Sequence, residues 1–257
     1  MYINIKDISI YYEKHGMGKQ VIFILPGWGD NRQTFDYLIS ALKDYFTIYI
    51  IDYPGFGNSS FPTSDLSIFD YANIVNEMIT RLQIEDAILI GHSFGGRIIA
   101  LLTTMYTTKF KKLLLIDVAG LKPKINISLF LRQNLYKLLK KLSFFLPKSL
   151  KRKYLKKLFS HFASNDYKNL DKRLLKTFQN IVHTKLDNYY QKITLETLIL
   201  WGEFDPITPF HDALKLNKLI KNSSLIKIEN TRHFPYLEKK YLVSRIIFEY
   251  LKKDITT

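Results

Sequence analysis

The sequence predicts an α/β protein with a doubly wound, mostly parallel sheet and a helical cap inserted between two of its strands. Short apolar runs alternate with helix-like stretches in both end portions of the chain, which is 257 residues long. A Gly-x-Ser-x-Gly pentapeptide at 91–95 joins one such run to a helix-like stretch. The alternation stops at 121–190, where no strand-like run occurs. We therefore expect a core formed by residues 1–120 and 191–257 and a cap at 121–190.

The first half of the chain is expected to supply most of the sheet. Its predicted elements are an antiparallel edge hairpin at 3–5 and 8–13, strands at 20–25, 46–52, 86–90 and 112–117, and helices at 33–42, 67–82 and 97–106. The run at 20–25 is largely apolar, which is typical of a parallel strand buried on both faces. Ser67 and Asp70 are start signals for the helix that precedes the pentapeptide.

The segment 121–190 has the periodicity of helices. Leu135, Leu138 and Leu142 recur at helical spacing with lysines off that stripe, and Pro147 ends the predicted helix. The elements predicted after it are a second cap helix at 150–162, strands at 197–201 and 224–229, and helices at 209–221 and 236–251. Because strands resume after residue 190, we interpret the segment as an insertion into the sheet domain.

Positive charge is concentrated in the predicted cap. The whole chain has a formal net charge of +15, and residues 121–190 hold 17 Lys and Arg against three Asp. This excess has three interpretations: a solvated lysine-rich surface over an apolar stripe, a binding surface for an acidic partner, or a docking surface for anionic membrane. We expect no nucleic-acid partner, because no recognition motif accompanies the charge.

Composition excludes several classes of function. The chain has no cysteine, which excludes disulfides, a thiol nucleophile and thiolate metal sites. We expect no metal and no cofactor, because no His-Glu-x-x-His or similar cluster is present. No apolar run reaches the length of a membrane span, and the first residues do not resemble a secretory signal. We therefore expect a cytoplasmic protein.

The pentapeptide predicts a nucleophilic serine. Ser93 lies between an apolar run and a helix-like stretch, which is the context of a nucleophile elbow. In such a turn the serine adopts strained backbone, and flanking glycines allow the strand and helix to approach closely. The turn would place the Ser93 hydroxyl above the carboxyl edge of the sheet.

Two later residues complete a predicted catalytic triad. His233 lies in the loop after the last predicted strand, and Asp205 lies directly after the strand at 197–201. The order serine, acid, histidine is the order of hydrolases that use this elbow. As general base, His233 would take the Ser93 proton, while Asp205 would orient the imidazole. Asp117, also at a strand end, is the competing acid, and Glu203 is a weaker alternative.

An oxyanion hole and part of a pocket are also predicted. Two backbone N–H groups would hold the tetrahedral oxyanion, one from Phe94 after the nucleophile and one from Trp28 in the loop after the first parallel strand. The side chains of Trp28, Phe94 and Phe234 are candidates for the substrate pocket. Arg97, at the start of the elbow helix, is interpreted as an exposed arginine.

Five motifs together resemble the α/β-hydrolase superfamily. They are Leu25-Pro26-Gly27-Trp28-Gly29, Asp52-Tyr53-Pro54-Gly55-Phe56-Gly57-Asn58-Ser59, Gly91-His92-Ser93-Phe94-Gly95-Gly96, Gly202-Glu203-Phe204-Asp205 and Thr231-Arg232-His233-Phe234. Within that superfamily the chain is most similar to small capped serine carboxylesterases of the pimeloyl-carrier-protein methyl ester esterase type. One departure is Pro26, where the family usually has histidine, so we expect different hydrogen bonding in that loop.

This resemblance implies a serine hydrolase that cleaves carboxylic esters through an acyl-enzyme on Ser93. It also makes an acidic carrier protein or an acyl-coenzyme A a candidate partner for the basic cap. Two alternatives stay open: a C–C bond hydrolase or cofactor-free lyase using the same triad, and a non-catalytic ligand-sensing or signalling protein of the same fold.

Overall fold

A computed structural model describes residues 1–122 and 170–255, together with residues 135, 139–141, 143–145, 147 and 150–155. The chain forms two compact units, one of Met1–Lys122 with Asn180–Thr257 and one of Pro123–Gln179. Of the first predicted cap helix, Leu138 and Leu142 lie outside the described residues, as does 156–162 of the second. The boundaries of the cap, 121–190, stay a prediction.

Eight strands form one sheet in the described residues. They are β1 (Tyr2–Ile5), β2 (Ile8–His15), β3 (Val21–Leu25), β4 (Thr47–Ile51), β5 (Ala87–His92), β6 (Phe110–Ile116), β7 (Thr197–Gly202) and β8 (Ser223–Ile228). Their order across the sheet is β1-β2-β4-β3-β5-β6-β7-β8. β1 pairs antiparallel with β2 and β2 with β4, while every other neighbouring pair is parallel. The predicted edge hairpin and the mostly parallel sheet are confirmed.

The helices of the described residues follow the predicted alternation. The α-helices described over their whole length are α1 (Asp36–Leu42), α2 (Ile68–Arg81), α3 (Phe94–Met105), α4 (Leu175–His183), α5 (Asp187–Tyr190), α6 (Phe210–Leu219), α7 (Pro235–Glu238) and α8 (Lys240–Leu251), and residues 139–141 and 150–155 are also helical. α2 begins at a capping box, in which Ser67 accepts from the N–H of Asp70 and the Asp70 carboxylate accepts from the N–H of Ser67. Among the described helices, none is both long enough and apolar enough to cross a membrane.

The closing helix differs from the prediction. The sequence predicts a single helix at 236–251, and the structure has two, because Lys239 leaves helical geometry with φ −127° and ψ 51°. Glu238 accepts hydrogen bonds from the backbone N–H groups of Arg232 at 3.0 Å and of Phe234 at 3.4 Å. The short helix α7 is therefore tied back to the loop that carries His233.

Each parallel strand sends alternate side chains to opposite faces of the sheet, and each face has its own core. On β3, Phe23 and Leu25 pack in a cluster with residues of α2 and α3, whereas Ile22 and Ile24 pack in a second cluster with residues of α1 and α8. A strand buried on both faces needs a run of apolar residues, which is the pattern seen in the sequence. The sheet thereby brings the carboxyl ends of its parallel strands to one edge.

Candidate active site

The Ser93 turn is a strained connection between β5 and α3. Ser93 has φ 47° and ψ −106°, a conformation that costs a residue with a side chain about 1–3 kcal/mol. The surrounding backbone holds it in place. Its N–H donates to the carbonyl of Ile116 on β6 at 3.1 Å, and its carbonyl accepts from Gly96 at 3.2 Å and Ala119 at 3.0 Å.

Two glycines of the pentapeptide permit close packing at the turn. A Cβ on Gly95 would lie 1.9 Å from the carbonyl oxygen of Leu25, and one on Gly91 would lie 2.6 Å from Cδ1 of Ile99. Such distances are far inside van der Waals contact, so only glycine fits at either position without a shift of its neighbours. The close approach expected of the flanking glycines is present.

Asp205 and His233 lie together in the loops after β7 and β8. Oδ2 of Asp205 is 2.7 Å from Nδ1 of His233, and both residues are buried. The structure therefore brings the predicted acid and base together, although 27 residues lie between them in the sequence.

Asp205 is held as a carboxylate by its neighbours. Burial acts to raise the pKa of Asp205, but the hydrogen bond and charge of His233 and hydrogen bonds from Thr208 and Ile207 outweigh it, and the pKa lies below the ordinary value. The Thr208 hydroxyl donates to Oδ2 at 2.6 Å, and the N–H groups of Ile207 and Thr208 donate to Oδ1 at 2.7 and 3.0 Å. A carboxylate with this many donors accepts an imidazole N–H without titrating near neutral pH.

The competing acid, Asp117, has a different environment. It is fully buried at the end of β6, and its Oδ1 accepts from the N–H of Gly202 at 2.9 Å. Burial, followed by the charge of Asp205, raises the pKa of Asp117 to about 10. Two adjacent buried carboxyl groups cannot both ionise at low energy, so Asp117 is the neutral member.

Glu203, the weaker alternative acid, and His211, another histidine after β7, are paired elsewhere. The carboxylate of Glu203 pairs with Lys227 at 2.7 Å and accepts from the N–H of Asn230 at 3.0 Å. His211 pairs with its neighbour Asp212 at 3.0 Å. Neither partner belongs to the site at Ser93.

Ser93 is linked to the Asp205–His233 pair through its neighbour in the sequence. The rings of His92 and His233 have centroids 4.8 Å apart, and Nε2 of His92 is 2.8 Å from the backbone carbonyl oxygen of His233. The Ser93 hydroxyl is half-buried and has no hydrogen bond within the part of the chain that the structure describes. In unliganded enzymes such contacts are often long and tighten when substrate binds.

The predicted oxyanion donors belong to adjoining loops. Phe94 is the first residue of α3, so its N–H has no partner within that helix. Trp28 lies in the loop after β3, and its ring contacts that of Phe94 edge-on with centroids 5.2 Å apart. Asp30 holds the same loop, because its Oδ2 accepts from the N–H of Gly27 at 3.0 Å. This hydrogen bond lies beside Pro26, and a difference from the family's usual loop stays a prediction.

The three candidate pocket side chains differ in exposure. Phe94 is only 2% exposed, and its ring also packs edge-on against Tyr53 and Tyr71 in the core cluster. Trp28 and Phe234 are half-buried. Their contact with a substrate stays a prediction.

One group of potential metal ligands is present among the described residues. Oxygen or nitrogen atoms of Asp117, Asp205 and His233 all lie within 4.8 Å of one another. Asp205 and His233 use the relevant atoms on each other, and Asp117 combines a neutral carboxyl with a bond to Gly202. These atoms already take part in hydrogen bonds within the protein, and the one between Asp205 and His233 is the contact that the predicted triad requires.

Sequence reasoning misses or misjudges three residues of the site region. Thr208 stands three positions after Asp205, and the Asp-Pro-Ile-Thr pattern is a usable signal for an acid capped by its own turn. For Asp30, the sequence offers no indication of its role other than its position three residues after Gly27. Arg97 is not exposed: it is 7% accessible, and its Nη1 donates to the backbone carbonyls of Ile181 at 3.0 Å and Thr184 at 2.9 Å. A helix-start position does not reveal burial by a segment 84 residues away.

Comparison with known proteins identifies the class. The sequence matches the alpha/beta hydrolase fold family over residues 20–240, and the chain belongs to that family.

Three individual proteins that the chain resembles each share less than 30% sequence identity with it. The chain is 28% identical to the pimeloyl-[acyl-carrier protein] methyl ester esterase of Wigglesworthia glossinidia brevipalpis, over 93% of this chain and 96% of that protein. Its fold resembles the esterase EaEST from Exiguobacterium antarcticum, with TM-score 0.75, 23% identity and coverage of 98% of each chain. It also resembles the meta-cleavage product hydrolase CumD from Pseudomonas fluorescens IP01, with TM-score 0.73, 19% identity and coverage of 99% of this chain and 98% of that one.

Proposed function

We propose that this protein is a serine hydrolase that cleaves carboxylic esters through an acyl-enzyme on Ser93. The observation that carries the proposal is the buried pair of Asp205 and His233, 2.7 Å apart. The ring of His233 packs 4.8 Å, between centroids, from that of His92, which immediately precedes a serine in strained elbow geometry. An acid with a lowered pKa, an imidazole and a strained serine in this arrangement are the groups that acyl transfer requires.

The first half of the reaction acylates the serine. Nε2 of His233 takes the Ser93 proton while Oγ attacks the ester carbonyl carbon, and the charge on the carbonyl oxygen is held by the N–H groups of Trp28 and Phe94. Asp205 stabilises the imidazolium through Nδ1. When the tetrahedral intermediate collapses, the C–O bond to the alcohol breaks and His233 gives its proton to the departing alkoxide.

The second half releases the acid. His233 takes a proton from water, the resulting hydroxide equivalent attacks the acyl carbon, and the same two N–H groups hold the oxyanion. Collapse breaks the bond to Ser93 Oγ, which recovers its proton from His233. The products are one carboxylic acid and one alcohol for each water consumed.

Turnover of a short-chain nitrophenyl ester tests this proposal. Wild-type protein should hydrolyse the ester, and Ser93→Ala should lose at least about 10³-fold in kcat, as expected when a nucleophile is removed. A fluorophosphonate should add one covalent group to the wild type and none to Ser93→Ala. Turnover that persists in Ser93→Ala contradicts the acyl-enzyme; absence of turnover and labelling together favours the sensing alternative.

For the substrate we propose an acyl ester presented by an acidic carrier protein. The similar protein from Wigglesworthia is named for an ester on acyl-carrier protein, and residues 121–190 here hold 17 Lys and Arg against three Asp. The described cationic residues Lys140, Lys141, Arg152 and Lys153 are exposed or half-exposed. Complementary charge of this kind accelerates encounter and weakens with salt.

A comparison of two esters with the same acyl group tests the carrier. kcat/KM for a carrier-linked ester should fall several-fold between low and high salt, while kcat/KM for the free methyl ester should change little. Lys140→Glu combined with Lys153→Glu should reduce only the carrier-linked rate. Equal salt dependence of both substrates would contradict a carrier, and salt-sensitive binding to anionic vesicles instead would favour membrane docking.

A second candidate is hydrolysis of a carbon–carbon bond by the same residues. It is supported by the likeness of fold to a meta-cleavage product hydrolase, which concerns the fold alone. Turnover of a vinylogous 1,5-diketone, with an ester rate below it, would favour this candidate over the ester hydrolase.

A further inference from the structure

We propose that His92 and Asp30 form a positioning pair that holds a proton between them and thereby fixes the oxyanion loop, residues 27–30, against the loop that carries His233. The proposal rests on the proposed function, in which both loops serve one reaction. Neither residue touches the reacting atoms; each acts through the loop that it holds.

The contacts form a continuous bridge across the site. Nδ1 of His92 lies 2.8 Å from Oδ2 of Asp30, and that same oxygen accepts from the N–H of Gly27 at 3.0 Å. On its other side, Nε2 of His92 lies 2.8 Å from the backbone carbonyl oxygen of His233. One imidazole therefore joins the residue before the proposed donor Trp28 to the backbone of the proposed base.

The geometry determines where protons must be. A carbonyl oxygen is only an acceptor, so Nε2 of His92 must carry a proton and donate it to His233. The 2.8 Å contact between Nδ1 and a carboxyl oxygen requires a second proton, because two lone pairs at that distance would repel. Oδ2 also accepts from the N–H of Gly27. The pair therefore holds one proton between Nδ1 and Oδ2 and is neutral as a whole.

The surroundings keep this proton in place. His92 is fully buried, and its ring packs against those of His233, Phe234 and Tyr236. The titratable groups that face it are Asp30, His233 and Tyr236, whose hydroxyl lies 3.4 Å from Nδ1. Gly27 has no room for a side chain, since a Cβ would lie 2.2 Å from Oδ2 of Asp30 and 3.0 Å from Nδ1 of His92. The bridge is therefore closely packed as well as hydrogen-bonded.

The substitution Asp30→Asn removes the carboxyl group and keeps the size and shape of the side chain, so it tests the hydrogen bonding of Asp30 apart from its packing. In Asp30→Asn, the amide oxygen can still accept from Gly27, but a neutral His92 has a single N–H and cannot donate both to that amide and to the carbonyl of His233. His92→Phe keeps a ring in the packing and removes both nitrogens. Each variant should lower kcat about 10- to 100-fold with KM within about twofold, because the hydrogen bond that orients the two loops is lost.

The double variant and a matched control complete the experiment. Combining Asp30→Asn with His92→Phe should lower kcat no more than the worse single variant, since the two residues act as a unit. His15→Phe removes a half-exposed histidine that pairs with Glu13 at 3.1 Å, and it should leave kcat unchanged. Additive losses in the double variant, or losses in KM alone, would overturn the positioning role.

A readout without turnover distinguishes this proposal from the proposed function. His233 and Asp205 also form an imidazole–carboxyl hydrogen bond, so the resonance of the His92–Asp30 pair is the downfield N–H signal of wild type that remains in Ser93→Ala and in Asp205→Asn and is absent in Asp30→Asn and His92→Phe. If wild-type protein neither hydrolyses esters nor reacts with fluorophosphonate, the proposed function fails, while this resonance still reports on the bridge. If the resonance persists in Asp30→Asn, no proton is shared by the pair and the proposal is wrong.

Discussion

Asp117 and Asp205 lie at the carboxyl ends of adjacent strands, and their pKa values are displaced in opposite directions. Asp205 receives hydrogen bonds from three donor residues and remains ionised, whereas Asp117 receives the N–H of Gly202 and is neutral. The difference supports Asp205, and not Asp117, as the acid of the proposed triad. It also makes the stability of the protein depend on pH.

Replacement of Asp117 by Asn should change that pH dependence. The folded pKa of Asp117, about 10, lies above its unfolded value, so its neutral form stabilises the protein below the unfolded pKa and this stabilisation is lost as pH rises toward 10. Between about pH 5 and 9 the unfolding free energy of wild type should fall relative to Asp117→Asn by up to about 1.4 kcal/mol per pH unit. Urea unfolding at several pH values measures this; parallel curves would contradict it.

Removal of the Thr208 hydroxyl should raise the pKa of Asp205 and slow the hydrolysis of an ester. Thr208→Val deletes the donor 2.6 Å from Oδ2 of Asp205 at nearly constant volume, so the pKa of Asp205 should rise and kcat/KM for an ester should fall about tenfold. Thr208→Ser retains the hydroxyl and should stay within about threefold of wild type. Equal activity of the Val and Ser variants would show that this hydrogen bond does not support the site.

Ser93→Gly should be more stable than Ser93→Ala, and both variants lack the proposed nucleophile. Ser93→Gly and Ser93→Ala both lack the hydroxyl, but only glycine adopts φ 47° without strain. We expect the Gly variant to be more stable than the Ala variant by about 1 kcal/mol in urea unfolding, with neither hydrolysing esters. A less stable Gly variant would mean that the turn stores no strain at this residue.

Substitution of Gly95 should be far more costly than substitution of Gly29. Ala at Gly95 places Cβ 1.9 Å from the Leu25 carbonyl oxygen, so backbone must move, at a cost of about 3 kcal/mol. Gly29→Ala meets its nearest neighbouring atom, Cε1 of Phe56, at 3.6 Å and strains only φ, at +74°, for about 1–2 kcal/mol. Thermal or urea unfolding of both variants checks the difference, and equal costs would contradict the proposed close approach.

Loss of the Arg97 guanidinium should destabilise the protein. Arg97→Leu leaves the carbonyl groups of Ile181 and Thr184 without this donor, and we expect a loss of about 2–4 kcal/mol in unfolding free energy. The control is Arg81→Leu, which removes a half-exposed partner of Glu77 and should cost less than about 1 kcal/mol. Similar losses in the two variants would show that the buried contacts of Arg97 add nothing.

Much of the fold was predictable because local and tertiary requirements agree. A strand such as β3 is buried on both faces, so its residues are apolar in sequence as well as in structure. Ser67 and Asp70 were correctly predicted to mark the start of α2, because a capping box depends only on two residues three positions apart. The break at Lys239 was not predictable, because it depends on hydrogen bonds between Glu238 and the preceding loop.

The order of strands and helices, the turn at Ser93 and the positions of Asp205 and His233 after strand ends could be predicted from the amino-acid sequence alone. Those features follow from short-range patterns and from the fact that parallel strands end at one edge. The opposite pKa shifts of Asp117 and Asp205, the burial of Arg97 and the bridge from Asp30 through His92 to His233 arise from contacts between segments that are distant in the chain. Ionisation and side-chain pairing depend on which distant segments exclude water and supply donors, and no local pattern records that.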